Sequence, residues 1–426
     1  MLDGDSAQYM EVAADLRDGR LDRLHFRTPG YPLLLVATAA TEHPTRALFF
    51  VSLFFHLAAV WLLAAVFRAA GASWAWILLL VVLLLLPPYV EPAAYVMTEN
   101  LAQLLLVAGF AALVFGHRDT RLLWWALAGI AFSSSALVRP VYQFLPLGIA
   151  GFLLVCGSLG EGRAAERRRS VIASLIIVVI WAGVSGAYAA HNRWRFGWFG
   201  IAPSTGLHLT TRTVSLLDRV PDEYAVVREI LIRARDEELI RRGGTHTGSQ
   251  AIWAAREQLE AVTGLAMPEL SAMLVRMNVA VIRRAPLEYA KEVARSLPVY
   301  WFPAHGRLSD RSPLRWCWVV VHGVLVATYG LLLAMLVAMA ALRATRLLPG
   351  LLSASVRNSL RAAAFPFTVA VAIVLYTMVL TCLIDIGEPR QRRSTDALFV
   401  FATVLGTWAW GTASRAARQA DATAPH

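Results

Sequence analysis

Long apolar stretches alternate with short polar segments along most of the chain. A helix needs about 20 apolar residues to cross the hydrocarbon core of a bilayer, and uncharged windows close to that length recur. The pattern predicts nine membrane-spanning helices, near residues 47–67, 73–90, 97–116, 122–138, 140–158, 170–190, 316–342, 362–384 and 397–414. We therefore expect an all-α, polytopic membrane helical bundle.

The composition supports this class and excludes two others. Hydrophobic residues make up 57% of the chain and charged residues only 16%, far from the balance of a soluble domain. The net charge is +11, yet no basic tract interleaves with exposed aromatic residues and membrane topology explains the charge better, so nucleic acid is not an expected partner. Cys156, Cys317 and Cys382 lie in or beside apolar spans without the spacing of a zinc site or disulfide framework, which indicates packing residues.

Arginine marks alternate loops between the predicted spans. The residues concerned are Arg68, Arg118, Arg121, Arg163, Arg167, Arg168, Arg169, Arg343, Arg346, Arg357, Arg361, Arg415 and Arg418. Positive charge in short loops is typical of the cytoplasmic side. The sequence therefore predicts a protein of the cytoplasmic membrane in which residues 1–44, the loops near 91 and 139, the loop 385–396 and the segment 191–315 face outward.

The spans divide the chain into five parts. Residues 1–44 form a first extracytoplasmic loop with juxtamembrane helices, 45–190 a six-span bundle, 191–315 an extracytoplasmic helical domain, 316–414 a three-span bundle and 415–426 a cytoplasmic tail. The polar first segment would have to cross the membrane with no apolar signal before it. We expect a further span upstream of residue 1, the alternative being unaided translocation of this segment.

Asp5 is the first candidate for chemistry. A carboxylate beside the membrane surface can act as a general base toward a hydroxyl, and the following helix would turn Tyr9 and Ala13 toward the bundle. The alternative is that Asp5 only caps the helix 6–18, since Asp is a preferred N-cap. Asp3 and Asp5 also form a pair compatible with a divalent cation. Two carboxylates supply too few ligands, so no metal is predicted.

The outward loops carry an unexpected group of basic side chains. Arg139 lies at a span end, and Arg390, Arg392 and Arg393 lie together in the loop 387–396. Guanidinium groups bind phosphate through paired N–H donors, whereas the alternative is snorkelling to lipid headgroups. Glu99 enters a span, where an unpaired carboxylate is costly, and Arg139 is its predicted partner.

Several motifs recur in a recognisable order. They are Asp5 with Tyr9 and Ala13, Arg27-Thr-Pro-Gly-Tyr-Pro32, Thr98-Glu99-Asn100-Leu101, Val138-Arg139-Pro140, Asn192-Arg193 with Phe196-Gly197, Ala285-Pro286 with Tyr289, and Glu388 with Arg390 and Arg392. Together they resemble bacterial glycosyltransferase family 39, the protein-mannosyltransferase-like branch of the GT-C superfamily, which also contains the aminoarabinose transferase of lipid A. The resemblance covers nearly the whole chain, although no single motif is specific.

The resemblance implies an inverting glycosyltransferase. Members of the family take a sugar from a polyprenyl-phosphate carrier and transfer it to a lipid, glycan or protein acceptor on the outer face of the membrane. It implies that Asp5 is the base and that Arg139, Arg390, Arg392 and Arg193 hold the donor phosphate. The supporting residues would be Asp3, Tyr9, Glu99, Glu388 and Arg393. The family also has a transmembrane helix before the aspartate loop, whereas here Asp5 is four residues from the first residue of the sequence.

Two other functions stay open. A transporter or flippase of lipid-linked sugars would usually place charges near the middle of its spans, where this sequence has almost none. A non-catalytic, truncated homologue is the other alternative. The sequence specifies neither the sugar, nor the prenyl chain, nor the acceptor. Membrane lipids are expected partners in every case.

Overall fold

The computed structural model of the chain describes residues 2, 5–21, 24, 27–119, 121–159, 164–241, 248–303, 313–344 and 354–422. Over this part the chain consists of α-helices and short 3₁₀ turns, with no strand. The polytopic all-helical class predicted from hydropathy is thus confirmed.

The helices fall into three groups along the chain. The first contains α1 Ser6–Arg17, α2 Gly30–Ala37, α3 Arg46–Ala69, α4 Trp74–Leu84, α5 Pro87–Val90, α6 Glu99–Arg118, α7 Leu122–Val138, α8 Leu145–Leu159 and α9 Ala164–Phe196. The second contains α10 Thr205–Thr213, α11 Ala225–Arg241, α12 Ala251–Thr263, α13 Met267–Arg284 and α14 Pro286–Trp301. The third contains α15 Pro313–Ala344, α16 Ala354–Ile384, α17 Pro389–Arg392 and α18 Asp396–Ala422. The 3₁₀ turns are Glu91–Ala94, Pro140–Tyr142, Val214–Arg219, Asp222–Tyr224 and Arg393–Thr395.

Every predicted span coincides with apolar helix, but two of the nine differ from a simple crossing. Among the described residues, 7 helices are long and apolar enough to cross a membrane, or up to 9 if each of two bent helix pairs counts as one span. The predicted span 122–138 is a helix of only 17 residues. The predicted span 73–90 is divided into two pieces. One of the bent pairs, α12 with α13, lies outside the predicted spans.

The break in the span 73–90 has a local cause. α4 ends at Leu84 and the next helical segment begins at Pro87, with a bend of 66° between them. Proline has no N–H to continue the hydrogen-bond ladder. His56 donates through Nε2 to the Leu84 carbonyl at 3.0 Å and accepts from Gln103 at 3.0 Å. The carbonyl exposed by the break is therefore satisfied inside the bundle, as a membrane interior requires.

One core runs through the bundle. α6 packs against α3 and α7, α9 against α7 and α8, and α16 against α18. The core is largely aliphatic and aromatic, with Phe67, Phe110 and Phe401 in edge-to-face contact at its centre. Gly109 allows the close approach of α6 to α7, because a Cβ there would lie 2.7 Å from the ring of Phe132. Small residues at helix contacts are typical of membrane bundles.

The two ends of the bundle differ in chemistry. At one end Arg118 donates to the carbonyl of Ala69, and Arg169 donates to the carbonyl of Gly116 at 2.6 Å. At the other end, acidic and basic side chains from the two ends of the sequence meet around Asp5. We call the latter the Asp5 end.

Helices α10 to α13 build a second hydrophobic core. α10 and α13 approach so closely that a Cβ on Gly206 would lie 2.0 Å from the Ser271 carbonyl oxygen. The contact is fixed by Asn278, which donates to Thr210 at 2.8 Å and accepts from Thr213. A buried amide satisfied in this way sets the register of the two helices. α10 also packs against α16, so this core is joined to the bundle.

Candidate active site

Asp5 stands immediately before α1, but its side chain does not cap that helix. Both carboxylate oxygens are held by arginines instead. Arg27 donates from Nη2 to Oδ1 at 2.8 Å, and Arg390 donates to Oδ2. The interpretation of Asp5 as a simple helix cap is therefore wrong. Two residues far apart in sequence converge on one carboxylate that is 35% exposed.

The segment around Arg27 is anchored on both sides. The ring of Tyr9 lies 4.7 Å from the Arg27 guanidinium carbon and packs edge-on against Tyr31. A Cβ on Gly30 would lie 2.7 Å from the Leu137 carbonyl oxygen, so α2 begins in direct contact with α7. Tyr9 and Ala13 are buried, as the spacing along α1 predicted. The Arg27 head group is thereby directed at Asp5.

Glu99 and Arg139 form the floor of the cluster. Arg139 Nη1 lies 3.1 Å from Glu99 Oε1, and Arg390 Nε lies 3.8 Å from the same oxygen. Glu99 is 2% exposed, and these two arginines are the cations that contact its carboxylate. The pairing of Glu99 with Arg139 is the one expected from the sequence. Asp5 and Glu99 are thus linked through Arg390.

Some buried polar atoms of Glu99 and its neighbour have no hydrogen-bond partner among the described residues. The second oxygen of Glu99, Oε2, and the side-chain amide nitrogen of Asn100 are buried and make no hydrogen bond within the described residues. Buried polar groups are normally paired, so these two unpaired groups on neighbouring residues are candidates to contact a polar ligand. The cluster contains the cations Arg27, Arg139 and Arg390 and the anions Asp5 and Glu99. Among the described residues, three arginines thus face two carboxylates, and guanidinium groups suit an anionic ligand.

The electrostatics of Asp5 favour its ionised form. Burial raises the pKa of Asp5, but the charges of and hydrogen bonds from Arg27 and Arg390 outweigh it, so the pKa lies below the ordinary aspartate value. A carboxylate that stays ionised can accept a proton across the neutral range. It is a weak base while both arginines hold it, because their charges stabilise the anion.

Arg392 points away from this cluster. It is 1% exposed, pairs with Asp396 at 2.5 Å and donates to the Tyr300 carbonyl at 2.5 Å. The residues 389–392 form one turn of helix, in which positions two apart point in nearly opposite directions. Arg390 and Arg392 therefore lie on opposite sides of α17, and the structure does not bring the latter to Asp5.

The remaining predicted residues lie around the cluster or apart from it. Arg393 Nη2 lies 4.0 Å from Glu91, and Glu388 forms a capping box with Gln391 at the start of α17. Arg193 is exposed near the end of α9 and donates to the Gly197 carbonyl, with no contact to Asp5 in the described part of the chain. Asp3 lies outside the described residues.

Two parts of the site were not identified from the sequence. Arg27 was noted only as part of a turn motif, although its position after a polar helix of the first loop could have suggested a partner for Asp5. Asp385 was not considered. It accepts from His208 and Gln391 beside the turn that carries Arg390, and only the packing of α10 on the bundle creates that contact.

Comparison of the chain with protein-family models, with curated proteins and with solved structures finds no match.

Proposed function

We propose that this membrane protein is an inverting glycosyltransferase, which moves a sugar from a polyprenyl-phosphate donor to a hydroxyl of an acceptor on the outer face of the membrane. The observation that carries the proposal is the convergence of one ionised carboxylate, Asp5, with Arg27, Arg390 and the Glu99–Arg139 pair at one end of the bundle. The family resemblance of the motifs supports the same reaction. The arginine pattern of the loops supports an outward-facing Asp5 end.

The residues divide into two roles. Asp5 takes the proton of the acceptor hydroxyl while that oxygen attacks the anomeric carbon of the sugar. The bond between the anomeric carbon and the phosphate oxygen breaks, and its electron pair stays on the phosphate. Arg390 and Arg139 stabilise the negative charge that develops there, an interaction stronger in the transition state than in the bound donor. A single displacement of this kind inverts the anomeric centre.

Donor binding and base strength are coupled through Arg390. A phosphate beside Arg139 competes with Asp5 for the Arg390 guanidinium. The paired N–H donors of one guanidinium cannot bind the phosphate and the carboxylate in bidentate geometry at the same time. Each contact that Arg390 gives up raises the pKa of Asp5 and makes it a stronger base. The carboxylate is thus activated when the donor is in place.

A transfer assay tests the proposal. Purified protein in lipid vesicles is incubated with a panel of polyprenyl-phosphate sugars and of hydroxyl acceptors, with and without a chelator, and the anomeric configuration of the product is determined by NMR. We expect transfer with inversion for at least one donor. Movement of the intact donor between leaflets without cleavage would favour a flippase, and retention of configuration would contradict a single displacement.

The pH dependence of turnover tests the role of Arg27. Because the pKa of Asp5 is lowered in the free protein, kcat/KM should be lost on the acid side only below the ordinary aspartate value of about 3.9. Arg27→Gln removes one cation and one hydrogen bond, while burial continues to raise the pKa. The acid limb of the kcat/KM profile, which reports the free protein, should therefore move to higher pH. An unchanged limb would show that Asp5 is not the titrating base; Arg121→Gln, at the opposite end of α7, is the control.

A further inference from the structure

A partly buried carboxylate connects α10 with the turn that carries Arg390. Asp385 follows α16 directly, and its Oδ2 oxygen accepts from His208 Nδ1 at 3.0 Å and from Gln391 Nε2 at 2.8 Å. Its Oδ1 accepts from the Ile386 amide at 2.7 Å. Arg212 also donates to the Asp385 main-chain carbonyl at 2.8 Å. We call His208, Arg212, Asp385 and Gln391 the Asp385 bridge.

The carboxylate of this bridge is ionised. Burial raises the pKa of Asp385, but the hydrogen bond and charge of His208 together with the amide donors outweigh it, and the pKa lies below the ordinary value. An ionised acceptor makes stronger hydrogen bonds than a neutral one. The bridge therefore joins α10 to the turn through hydrogen bonds to a charged acceptor.

The connection reaches Arg390 through a rigid turn. Gln391, which donates to Asp385, also accepts from the Glu388 amide at 3.1 Å. Gly387 has φ +71°, and a Cβ at this position would lie 3.0 Å from Cys382 Sγ. Both the backbone angle and the close contact favour glycine at the start of this turn. Arg390 is the neighbour of Gln391 in this single helical turn. The direction of the Arg390 side chain therefore depends on the hydrogen bonds that Gln391 makes with Glu388 and Asp385.

We propose that His208 and Asp385 are positioning residues that orient the turn Pro389–Arg392 so that Arg390 meets Asp5. The connection makes the orientation of a site arginine depend on α10, which belongs to the second hydrophobic core. Loss of the bridge frees the turn and lets Arg390 leave Asp5 and Glu99. The effect on the turn is independent of any activity, whereas the effect on donor binding rests on the proposed function.

Hydrogen exchange tests the structural half of the proposal. In detergent-purified protein, His208→Ala should raise the exchange of amides 386–393 about tenfold, the size expected for one lost hydrogen bond to a charged group. His208→Asn places an amide nitrogen close to the position of Nδ1 and should restore most of the protection. Asp222→Asn, at a 95% exposed carboxylate of the same helical region, is the matched control. Unchanged exchange in His208→Ala would overturn the proposal.

Binding of a short-chain polyprenyl monophosphate tests the second half. His208→Ala should weaken binding about tenfold in the otherwise unaltered protein, and by much less in an Arg390→Gln background, because the bridge acts through Arg390. Equal losses in both backgrounds would overturn the positioning role. If the unaltered protein does not bind the phosphate while exchange still responds to His208→Ala, the proposed function fails and the structural connection stands. His208 is 39% exposed, so its replacement is compatible with folding.

Discussion

Replacement of Asp5 by asparagine is expected to lower kcat for sugar transfer by about 10²- to 10⁴-fold, the contribution typical of general base catalysis. The amide keeps the size of the side chain but cannot accept the proton of the acceptor hydroxyl. Arg27 and Arg390 keep an oxygen to bind, so folding and membrane insertion should change little. The measurement is single-turnover transfer with the purified variant.

The same helix provides a matched control. Asp18 lies at the other end of α1, is likewise 35% exposed and likewise pairs with two arginines, Arg17 and Arg20. Asp18→Asn removes the same charge from an equally exposed side chain, and Asp18 makes no contact with the Asp5 cluster among the described residues. Retained turnover in Asp5→Asn, or an equal loss in Asp18→Asn, would remove Asp5 from the reaction.

Replacement of Arg392 by methionine is expected to destabilise the fold by about 3–5 kcal/mol, because Asp396 would be left buried without a counter-charge. The guanidinium also fills the space beside Trp301, at 5.5 Å from its ring, and holds the end of α14 through the Tyr300 carbonyl. Thermal unfolding in detergent should show a clear decrease in Tm.

Two further variants separate stability from binding. The double variant Arg392→Met with Asp396→Leu removes both charges and should recover most of the lost stability, since well-packed apolar residues can replace a buried ion pair. Arg390→Met, at a side chain 33% exposed, should change Tm much less but weaken donor binding. If Arg392→Met kept its Tm and lost donor binding instead, Arg392 would be a phosphate ligand, as the sequence suggested.

Hydropathy predicted most of the fold correctly. A membrane helix must satisfy its backbone internally and present apolar side chains, so length and charge alone identify it. The exceptions are the places where local chemistry interrupts a span. The Leu84 carbonyl has no partner in its own helix because the chain breaks before Pro87. His56 donates a hydrogen bond to it instead. Hydropathy averaged along the sequence contains no information on a hydrogen bond between residues of different helices.

The site was predictable in its main carboxylate and only partly in its arginines. Asp5 and the pairing of Glu99 with Arg139 could be inferred because isolated charges at span ends need partners. Arg390 and Arg392 could not be distinguished, because nothing in the loop sequence indicates that 389–392 is a helical turn that separates them. Whether these residues carry catalysis stays a prediction.

The short α4 has a consequence for the surrounding lipid. Its 11 residues extend about 16 Å, roughly half the thickness of a bilayer hydrocarbon core. Leu78, Leu79 and Val82 nevertheless present an exposed apolar face along it. A hydrophobic stretch shorter than the core is accommodated by thinning of the bilayer or by the segment after the 66° bend, at fractions of a kcal/mol per Å of mismatch. We therefore expect the bilayer to be locally thinned beside α4, and short-chain phospholipids to be enriched there.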